Sequence, residues 1–222
     1  MIYANRQTAG RELATRLTEY ANRDDTLVLA LPRGGVPVAK EVAQALHAPL
    51  DVLVVRKLGL PWQPELAAGA IAPGGVIVMN PEVQAGFDDL DKILAPVVKR
   101  ERAELRRREA LYRKNRPPLQ VRDRIAILVD DGIATGATME AAVRALQSLR
   151  ARSVVIAVPV APPDTVDRLG QAADRVICLQ QPMTFLAVGQ WYEDFPQVSD
   201  AEVVALLTPP AAARADSKAS NQ

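Results

Sequence analysis

Short continuous apolar runs alternate along this chain with segments whose apolar residues recur at helical spacing. The runs predict five buried strands at residues 26–31, 50–55, 125–129, 154–160 and 176–179. Strands that are apolar on every residue are typical of a parallel sheet covered on both faces. The pattern therefore predicts an α/β fold with a parallel sheet of about five strands and helices on both faces.

The segments between the runs predict helices and two irregular regions. The helices are expected at residues 8–22, 38–46, 88–114, 139–149, 164–171 and 200–207. Residues 56–69 contain Gly59, Pro61 and Pro64 without a clear period and predict a loop. Residues 70–80, with two glycines in the middle, predict a hairpin, and residues 182–196 predict an irregular aromatic segment.

Composition narrows the class of protein. Hydrophobic residues make up 49% of the 222 residues, and the net charge is +1, which is ordinary for a globular protein and gives no global field for nucleic acid. One cysteine, Cys178, and one histidine, His47, exclude an internal disulfide and a His-rich metal site, and both are expected to be structural. Since no leader or membrane-spanning run is visible, a cytoplasmic protein without membrane contact is expected.

The segment after the third predicted strand carries candidate chemistry. Asp130 and Asp131 end the strand, and a turn of small residues leads into a helix. Backbone N–H groups at a helix start form an anion site, whereas paired carboxylates suit hydroxyl groups or a divalent cation. A ligand with a phosphate at one end and vicinal hydroxyls at the other fits this loop. The alternative is that Asp131 only caps the helix.

The same residues carry a family resemblance. The run Asp130-Asp131-Gly132-Ile133-Ala134-Thr135-Gly136-Ala137-Thr138, after Ile127-Leu128-Val129, resembles the phosphoribosyl pyrophosphate (PRPP) signature of type I phosphoribosyltransferases. The resemblance extends from about residue 6 to residue 207. It is closest to the group of predicted phosphoribosyltransferases, through Pro32-Arg33-Gly34-Gly35-Val36-Pro37, Val55-Arg56-Lys57-Leu58-Gly59 and Trp191-Tyr192-Glu193-Asp194-Phe195.

The resemblance implies a role for each loop. Asp130 and Asp131 are expected to bind the ribose hydroxyls and a Mg²⁺ ion, directly or through water. The implied 5-phosphate cradle is Ala134, Thr135, Gly136, Ala137 and Thr138. The implied pyrophosphate site is Arg33, Gly34, Gly35, Arg56 and Lys57. Among all of these, the group expected to serve catalysis is Asp130, Asp131, Arg33 and Lys57.

Some of these assignments have alternatives. Arg56 and Lys57 could instead be two solvated cations at a strand end. The anionic ligand expected at the third loop favours pyrophosphate binding over this alternative. Residues 58–69 would correspond to the family's mobile loop, and Glu65 within them is a catalytic candidate. Ala134 stands where the 6-oxopurine enzymes of the family carry an acid, so this loop is closer to the adenine and orotate branches.

Aromatic and basic segments complete the candidates. Trp62, Phe185 and Trp191 are candidates for stacking on a base, the latter two within a hood at residues 182–207. The alternative is that the hood aromatics close a small core beside the sheet.

Residues 99–124 hold eleven Lys and Arg against four acids. Interleaved glutamates favour helix-face ion pairs, hence a solvated face or subunit contact, over nucleic-acid binding.

The resemblance predicts one domain at residues 1–207 and a disordered tail at residues 208–222. The implied activity is Mg²⁺-dependent transfer of the phosphoribosyl group of PRPP to a nitrogen acceptor, with a nucleobase as the expected acceptor and pyrophosphate released. PRPP, a small acceptor and a second copy in a homodimer are the expected partners. Two alternatives stay open: a non-catalytic PRPP or nucleotide sensor that binds RNA, and phosphate-ester hydrolysis at the same loop.

Overall fold

The computed structural model describes residues 1–114 and 116–208, apart from the side chains of Glu65 and Glu82. The predicted disordered tail lies outside these residues except for Thr208. Strands β1 (Thr26–Ala30), β2 (Leu50–Val52), β6 (Ile125–Val129), β7 (Ser153–Val160) and β8 (Arg175–Gln180) form one parallel sheet in the order β2-β1-β6-β7-β8. The predicted five-stranded parallel sheet is therefore confirmed.

The sheet is covered on both faces, and its central strands β1 and β6 are buried at every position. Val28, Ile127 and Val155 face a core that includes residues of helices α1 (Arg6–Ala14) and α2 (Gly35–Leu46), and it extends to α4 (Leu90–Tyr112) and α7 (Asp200–Leu207). Their neighbours Leu29, Leu128 and Ile156 face the opposite core, which α5 (Ala137–Ser148) and α6 (Pro163–Ala172) close. This alternation follows from the two-residue period of a strand.

Helix boundaries differ from the predicted ones where local caps intervene. Helix α1 begins at Arg6 because the side chain of Asn5 accepts a hydrogen bond from the Thr8 amide. Helix α2 begins at Gly35 and ends at Leu46, and the next residue, His47, has a left-handed backbone with φ of 50°. The short helix α3 (Pro81–Gln84) was not predicted. Among the described residues, no helix is both long and apolar enough to cross a membrane.

The predicted loop at residues 56–69 is wrong. Strands β3 (Arg56–Leu60) and β4 (Gln63–Ile71) form a tight antiparallel hairpin there, and β5 (Ile77–Met79) adds a third strand. Leu60 and Ala68 pack against Leu90 and Leu94 of α4, so burial against that helix stabilises the hairpin despite its prolines. The predicted hairpin at residues 70–80 is confirmed as β4 and β5. The small sheet lies beside the carboxyl ends of β1 and β6.

Candidate functional site

The loops after β1 and β6 lie in direct contact at one edge of the main sheet. The Leu31 amide donates to the carbonyl oxygen of Val129 at 2.9 Å, which joins the two strand ends. A Cβ on Gly34 would lie 2.0 Å from Asp131 Oδ2, and one on Gly35 would lie 2.6 Å from the Val129 oxygen. Only glycine permits this approach, so the predicted pyrophosphate loop and the two acids form one site. The Pro32–Arg33 peptide bond is cis.

The two acids have different surroundings. Asp130 Oδ1 accepts a hydrogen bond from the Asp131 amide at 2.9 Å. Burial and the neighbouring charge of Asp131 raise the pKa of Asp130 well above its ordinary value. Asp131 Oδ2 instead accepts from Arg6 Nε at 2.8 Å, and both side chains are nearly buried. The negative charge of Asp131 is therefore compensated by an ion pair with Arg6, whereas the described residues form no ion pair with Asp130.

Arg6 is a residue of this site that sequence reasoning missed. Its Nη1 donates to the Pro196 carbonyl at 2.8 Å, and its guanidinium lies over the Phe195 ring at 3.7 Å from the centroid. One side chain thus joins α1, the acid pair and the hood. An isolated arginine 125 positions from its partner acid carries no sequence signal of this contact.

The turn after Asp131 has the geometry of an anion site. Gly136 has φ of +73° and immediately precedes α5, and Thr135 and Thr138 are exposed. Within the described part of the chain, the backbone amides of residues 134–138 donate no hydrogen bond to protein. These amides, with the positive end of the α5 dipole, can bind a phosphate.

Contacts from α6 and the hood fix this turn from behind. Thr165 Oγ1 donates to the Ala134 carbonyl at 3.0 Å, and Arg168 Nη2 donates to the Thr135 carbonyl. A Cβ on Gly132 would lie 2.6 Å from Val188 of the hood. Because the carbonyls are held from behind, the amides of the turn are left for a ligand.

Arg56 and Lys57 lie in a cleft of about 690 Å³ between the small sheet and α4. We call it the β3–α4 cleft; Pro32 of the loop after β1 and Thr138 at the start of α5 also line it. The structure therefore brings both predicted cations to the same opening as the turn at residues 134–138. The catalytic candidate Glu65 lies in β4, and its side chain is outside the described part of the structure.

A buried carboxylate on α4 holds Arg56 at this cleft. Glu101 Oε2 accepts from Arg56 Nε at 2.8 Å, and Oε1 accepts from Arg100 Nε at 2.9 Å. Burial of Glu101 opposes its ionisation, but the hydrogen bonds from Arg100 and Arg56 outweigh it and lower the pKa of Glu101. Glu101 was not predicted as a site residue, because it falls within the charge-dense helix.

We expect Glu101→Gln to lower the free energy of unfolding at pH 7 by about 1–2 kcal/mol, because two charge-assisted hydrogen bonds are weakened. A lowered folded-state pKa contributes stability above the unfolded value of 4.5, and this contribution is lost as the pH falls through the folded value. Urea unfolding at pH 7 and pH 3 should therefore show a difference between wild type and variant that shrinks on acidification. An equal difference at both pH values would contradict the ion-pair account.

Arg33 lies on the opposite side of the first loop and faces the hood. Its Nη1 is 3.8 Å from Asp200 Oδ1, and both side chains are about one-third exposed. Tyr112 also donates to Asp200 Oδ1, at 2.5 Å. At 3.8 Å the contact with Asp200 is loose, so the Arg33 guanidinium remains accessible to an anionic ligand.

One set of hood aromatics, Tyr192 and Phe195, packs with Tyr3 and Arg6. Phe195 lies between the Arg6 guanidinium and the Tyr192 ring, whose centroid is 4.9 Å away, and Tyr192 contacts Tyr3 at 5.5 Å. Tyr192 also donates to the Asp131 carbonyl at 2.5 Å, and burial raises the pKa of its hydroxyl. These rings close a small core beside the sheet, which was the alternative expected for them.

The three stacking candidates are placed differently. Phe185 and Trp191 are half-buried and stacked on each other at 6.3 Å, next to that aromatic core. Trp62 is 61% exposed at the β3–β4 turn and contacts Phe87. No ring contact joins Trp62 to the hood aromatics within the described residues, and base stacking by any of the three stays a prediction.

Several arginines of the basic stretch are ion-paired. Glu104 accepts hydrogen bonds from Arg107 and Arg108, three and four positions further along α4, which is the helix-face pattern predicted for residues 99–124. Glu101 instead accepts from the adjacent Arg100 and from Arg56 of β3. Cys178 lies half-buried in β8, where burial raises the pKa of its thiol to about 11.

Comparison with known proteins agrees with this geometry. A family model described as "Phosphoribosyl transferase domain" matches residues 1–194. A Mycobacterium tuberculosis H37Rv protein named "Putative phosphoribosyl transferase Rv0571c" is 51% identical over 207 residues, which is 93% of this chain and 46% of that protein. A protein of strain CDC 1551 matches to the same extent. The chain thus spans about half the length of these curated relatives.

Solved structures show the same fold. The crystal structure of TT1426 from Thermus thermophilus superposes with a TM-score of 0.86 at 44% identity, over 93% of this chain and 98% of that one. A hypoxanthine-guanine phosphoribosyltransferase from Bacillus anthracis has a TM-score of 0.50 at 12% identity, over 82% of this chain and 83% of its own, and shares the fold alone. Since the family model covers most of its length, the chain belongs to the phosphoribosyl transferase domain family.

Proposed function

We propose that this chain transfers the 5-phosphoribosyl group of PRPP to a nitrogen acceptor and releases pyrophosphate. The observation that carries the proposal is the contact of Gly34 and Gly35 with Asp130 and Asp131, where a Cβ would meet atoms at 2.0 to 3.1 Å. This contact places a loop with accessible donors against two acids and beside a phosphate turn. Such a site matches a ribose that carries a phosphate at one end and a pyrophosphate at the other.

Each part of PRPP has a matching group. The amides of residues 134–138 and the hydroxyls of Thr135 and Thr138 bind the 5-phosphate. Asp130 and Asp131 accept hydrogen bonds from the ribose hydroxyls. Arg33, the backbone of Gly34 and Gly35, Arg56 and Lys57 bind the pyrophosphate, partly in the β3–α4 cleft.

The donor set around the acids also fits a Mg²⁺ ion. Mg²⁺ is usually held by one or two carboxylates together with substrate phosphates and water. Within the described residues no group of three or more His, Cys, Asp or Glu could hold a metal, so phosphate oxygens of the substrate and water would have to complete the coordination of an ion at this site. Asp130 would hold the ion directly, and Asp131, engaged by Arg6, through water. When bound, the ion would neutralise negative charge on the phosphate oxygens of the substrate.

The reaction forms one bond and breaks one. The acceptor nitrogen gives its lone pair to ribose C1, and the C1–O bond to pyrophosphate breaks with its electron pair leaving on the pyrophosphate oxygen. The proton of the acceptor nitrogen passes to solvent. Negative charge develops on the leaving group, so prearranged donors at Arg33, Lys57 and the Gly34–Gly35 backbone lower the barrier. Asp130 and Asp131 hold the ribose in position.

The test measures pyrophosphate release from PRPP and Mg²⁺ with adenine, guanine, hypoxanthine, xanthine, uracil or orotate, with a control lacking acceptor. Acceptor-dependent release is the expected result. Calorimetry measures PRPP binding in parallel. Tight binding without release by any acceptor would favour a non-catalytic sensor, and absence of both would show that the loop at residues 130–138 does not bind PRPP.

A further inference from the structure

A cavity of about 620 Å³ lies between strand β5 and helix α4, and we call it the β5–α4 cavity. Ile77 and Met79 of β5 form one wall, and α4 forms the other wall from Asp91 to Arg106. None of these lining residues also lines the β3–α4 cleft, so the cavity is separate from the proposed reaction site. Its volume is typical of a site for a small molecule.

Three cations line this cavity from one face of α4. Lys99, Arg102 and Arg106 are three and four positions apart, so their side chains are neighbours along the helix. None of the three side chains forms a hydrogen bond or an ion pair in the part of the chain that the structure describes. Like charges at this spacing repel each other, and an anion bound among them would relieve that repulsion.

Arg102 gives an independent indication of a ligand. Its Nε atom is buried and has no hydrogen-bond partner among the described residues. A buried donor without a partner is destabilising, and an oxygen atom bound at this guanidinium would offset that cost. By contrast, Arg107 and Arg108, outside the cavity, both donate to Glu104. The cations of the cavity are therefore the ones that the protein leaves available.

The remainder of the cavity restricts the kind of anion. Lys99 and Arg106 are separated by about 10 Å along the helix axis, which is long enough for a chain of phosphates. Ile77 is 39% exposed and Val98 is half-buried, so an apolar surface lies beside the cations. Asp91 lines the cavity about 22 Å from Arg106 along the helix axis and can accept hydrogen bonds from amino or hydroxyl groups.

We propose that the β5–α4 cavity binds a nucleoside triphosphate. The phosphates bind the three cations, the base packs against Ile77 and Val98, and amino or hydroxyl groups donate to Asp91. No aromatic residue of the described chain lines the cavity, whereas sites for single-stranded nucleic acid stack bases on aromatic rings. The site is one of binding alone, and it does not rest on the proposed function.

Calorimetry with ATP, inorganic triphosphate and adenosine as probes, without divalent metal ions, tests the site. We expect ATP to bind at least about tenfold more tightly than either other probe, because only ATP reaches both the cations and the apolar wall. Arg106→Gln should weaken ATP binding by about fivefold or more. Arg107→Gln removes the same charge from the next position, outside the cavity, and should change ATP binding less than twofold.

A second titration of ATP, at saturating PRPP, separates this site from the proposed reaction site. We expect the affinity for ATP to change less than twofold. Failure of PRPP to bind would contradict the proposed function and leave this site to be decided by the comparison of Arg106→Gln with Arg107→Gln.

Five results would overturn the proposal. They are absence of ATP binding, equal affinity for ATP and inorganic triphosphate, equal effects of Arg106→Gln and Arg107→Gln, displacement of ATP by PRPP, and tighter binding of a short single-stranded RNA than of ATP. The last result would assign the cations of α4 to nucleic acid.

Discussion

Asp130→Asn is expected to reduce turnover by about a hundredfold or more while the protein stays folded. The carboxylate is replaced by a group of the same shape that lacks the charge and one acceptor for the ribose hydroxyls. Burial and the charge of Asp131 disfavour ionised Asp130, so removal of this charge should leave the melting temperature unchanged or raise it. Steady-state pyrophosphate release and thermal unfolding measure the two effects.

Asp131→Asn provides the contrast, because Asp131 is ion-paired with Arg6. Removing this carboxylate leaves the nearly buried Arg6 guanidinium without its ion partner, which costs about 3–5 kcal/mol of stability. The two single variants thus separate function from folding at adjacent positions. Full turnover in Asp130→Asn would show that this acid does not contact substrate, and an undiminished melting temperature in Asp131→Asn would contradict the structural role of the pair.

Gly35→Ala is expected to destabilise the protein by about 1–3 kcal/mol and to weaken PRPP binding by about tenfold or more. The new Cβ would lie 2.6 Å from the Val129 oxygen and 2.8 Å from Asp130 Cα, both backbone atoms that cannot turn away. The first loop must then move off the acid pair. Urea unfolding and PRPP calorimetry check the two changes.

Gly170→Ala is the matched control for that substitution. Gly170 lies inside α6, where a Cβ would meet no atom within 4 Å, so alanine should stabilise the helix by about 0.5–1 kcal/mol. Equal behaviour of the two variants would contradict the close packing of the first loop on the acids. Wild-type PRPP affinity in Gly35→Ala would show that the loop does not need its position for binding.

The central strands of the main sheet could be predicted from the sequence because each is a short run of mostly apolar residues. Strands β1 and β6 have no exposed position in the structure, as expected for strands of a parallel sheet that is covered on both faces. The turn between β6 and α5 was predictable for a related reason: its acids, glycines and threonines are contiguous, and a strand and a helix flank them. That this turn binds a phosphate stays a prediction. The residues of each segment alone were therefore enough to predict the main sheet and the turn after β6.

Long-range contacts were not predictable in the same way. The β3–β4 hairpin contains Pro61 and Pro64, which favoured a loop, but pairing with β5 and packing against α4 and the main core stabilise it as strands. Arg6 and Glu101 act through partners 125 and 45 positions away. Single charged residues of this kind look like ordinary surface residues until the fold brings their partners to them.

The register that pairs Thr26 with Ile125 has a consequence for synthesis of the chain. Strand β1 is made early, but its central neighbour β6 leaves the ribosome only after about a hundred further residues, which takes roughly 5–20 s. During that interval one edge of β1, a strand that is buried at every position in the folded protein, lacks its β6 partner, and the entropy of closing so long a segment opposes early pairing. The site can therefore assemble only after β6 has been made and has paired with β1.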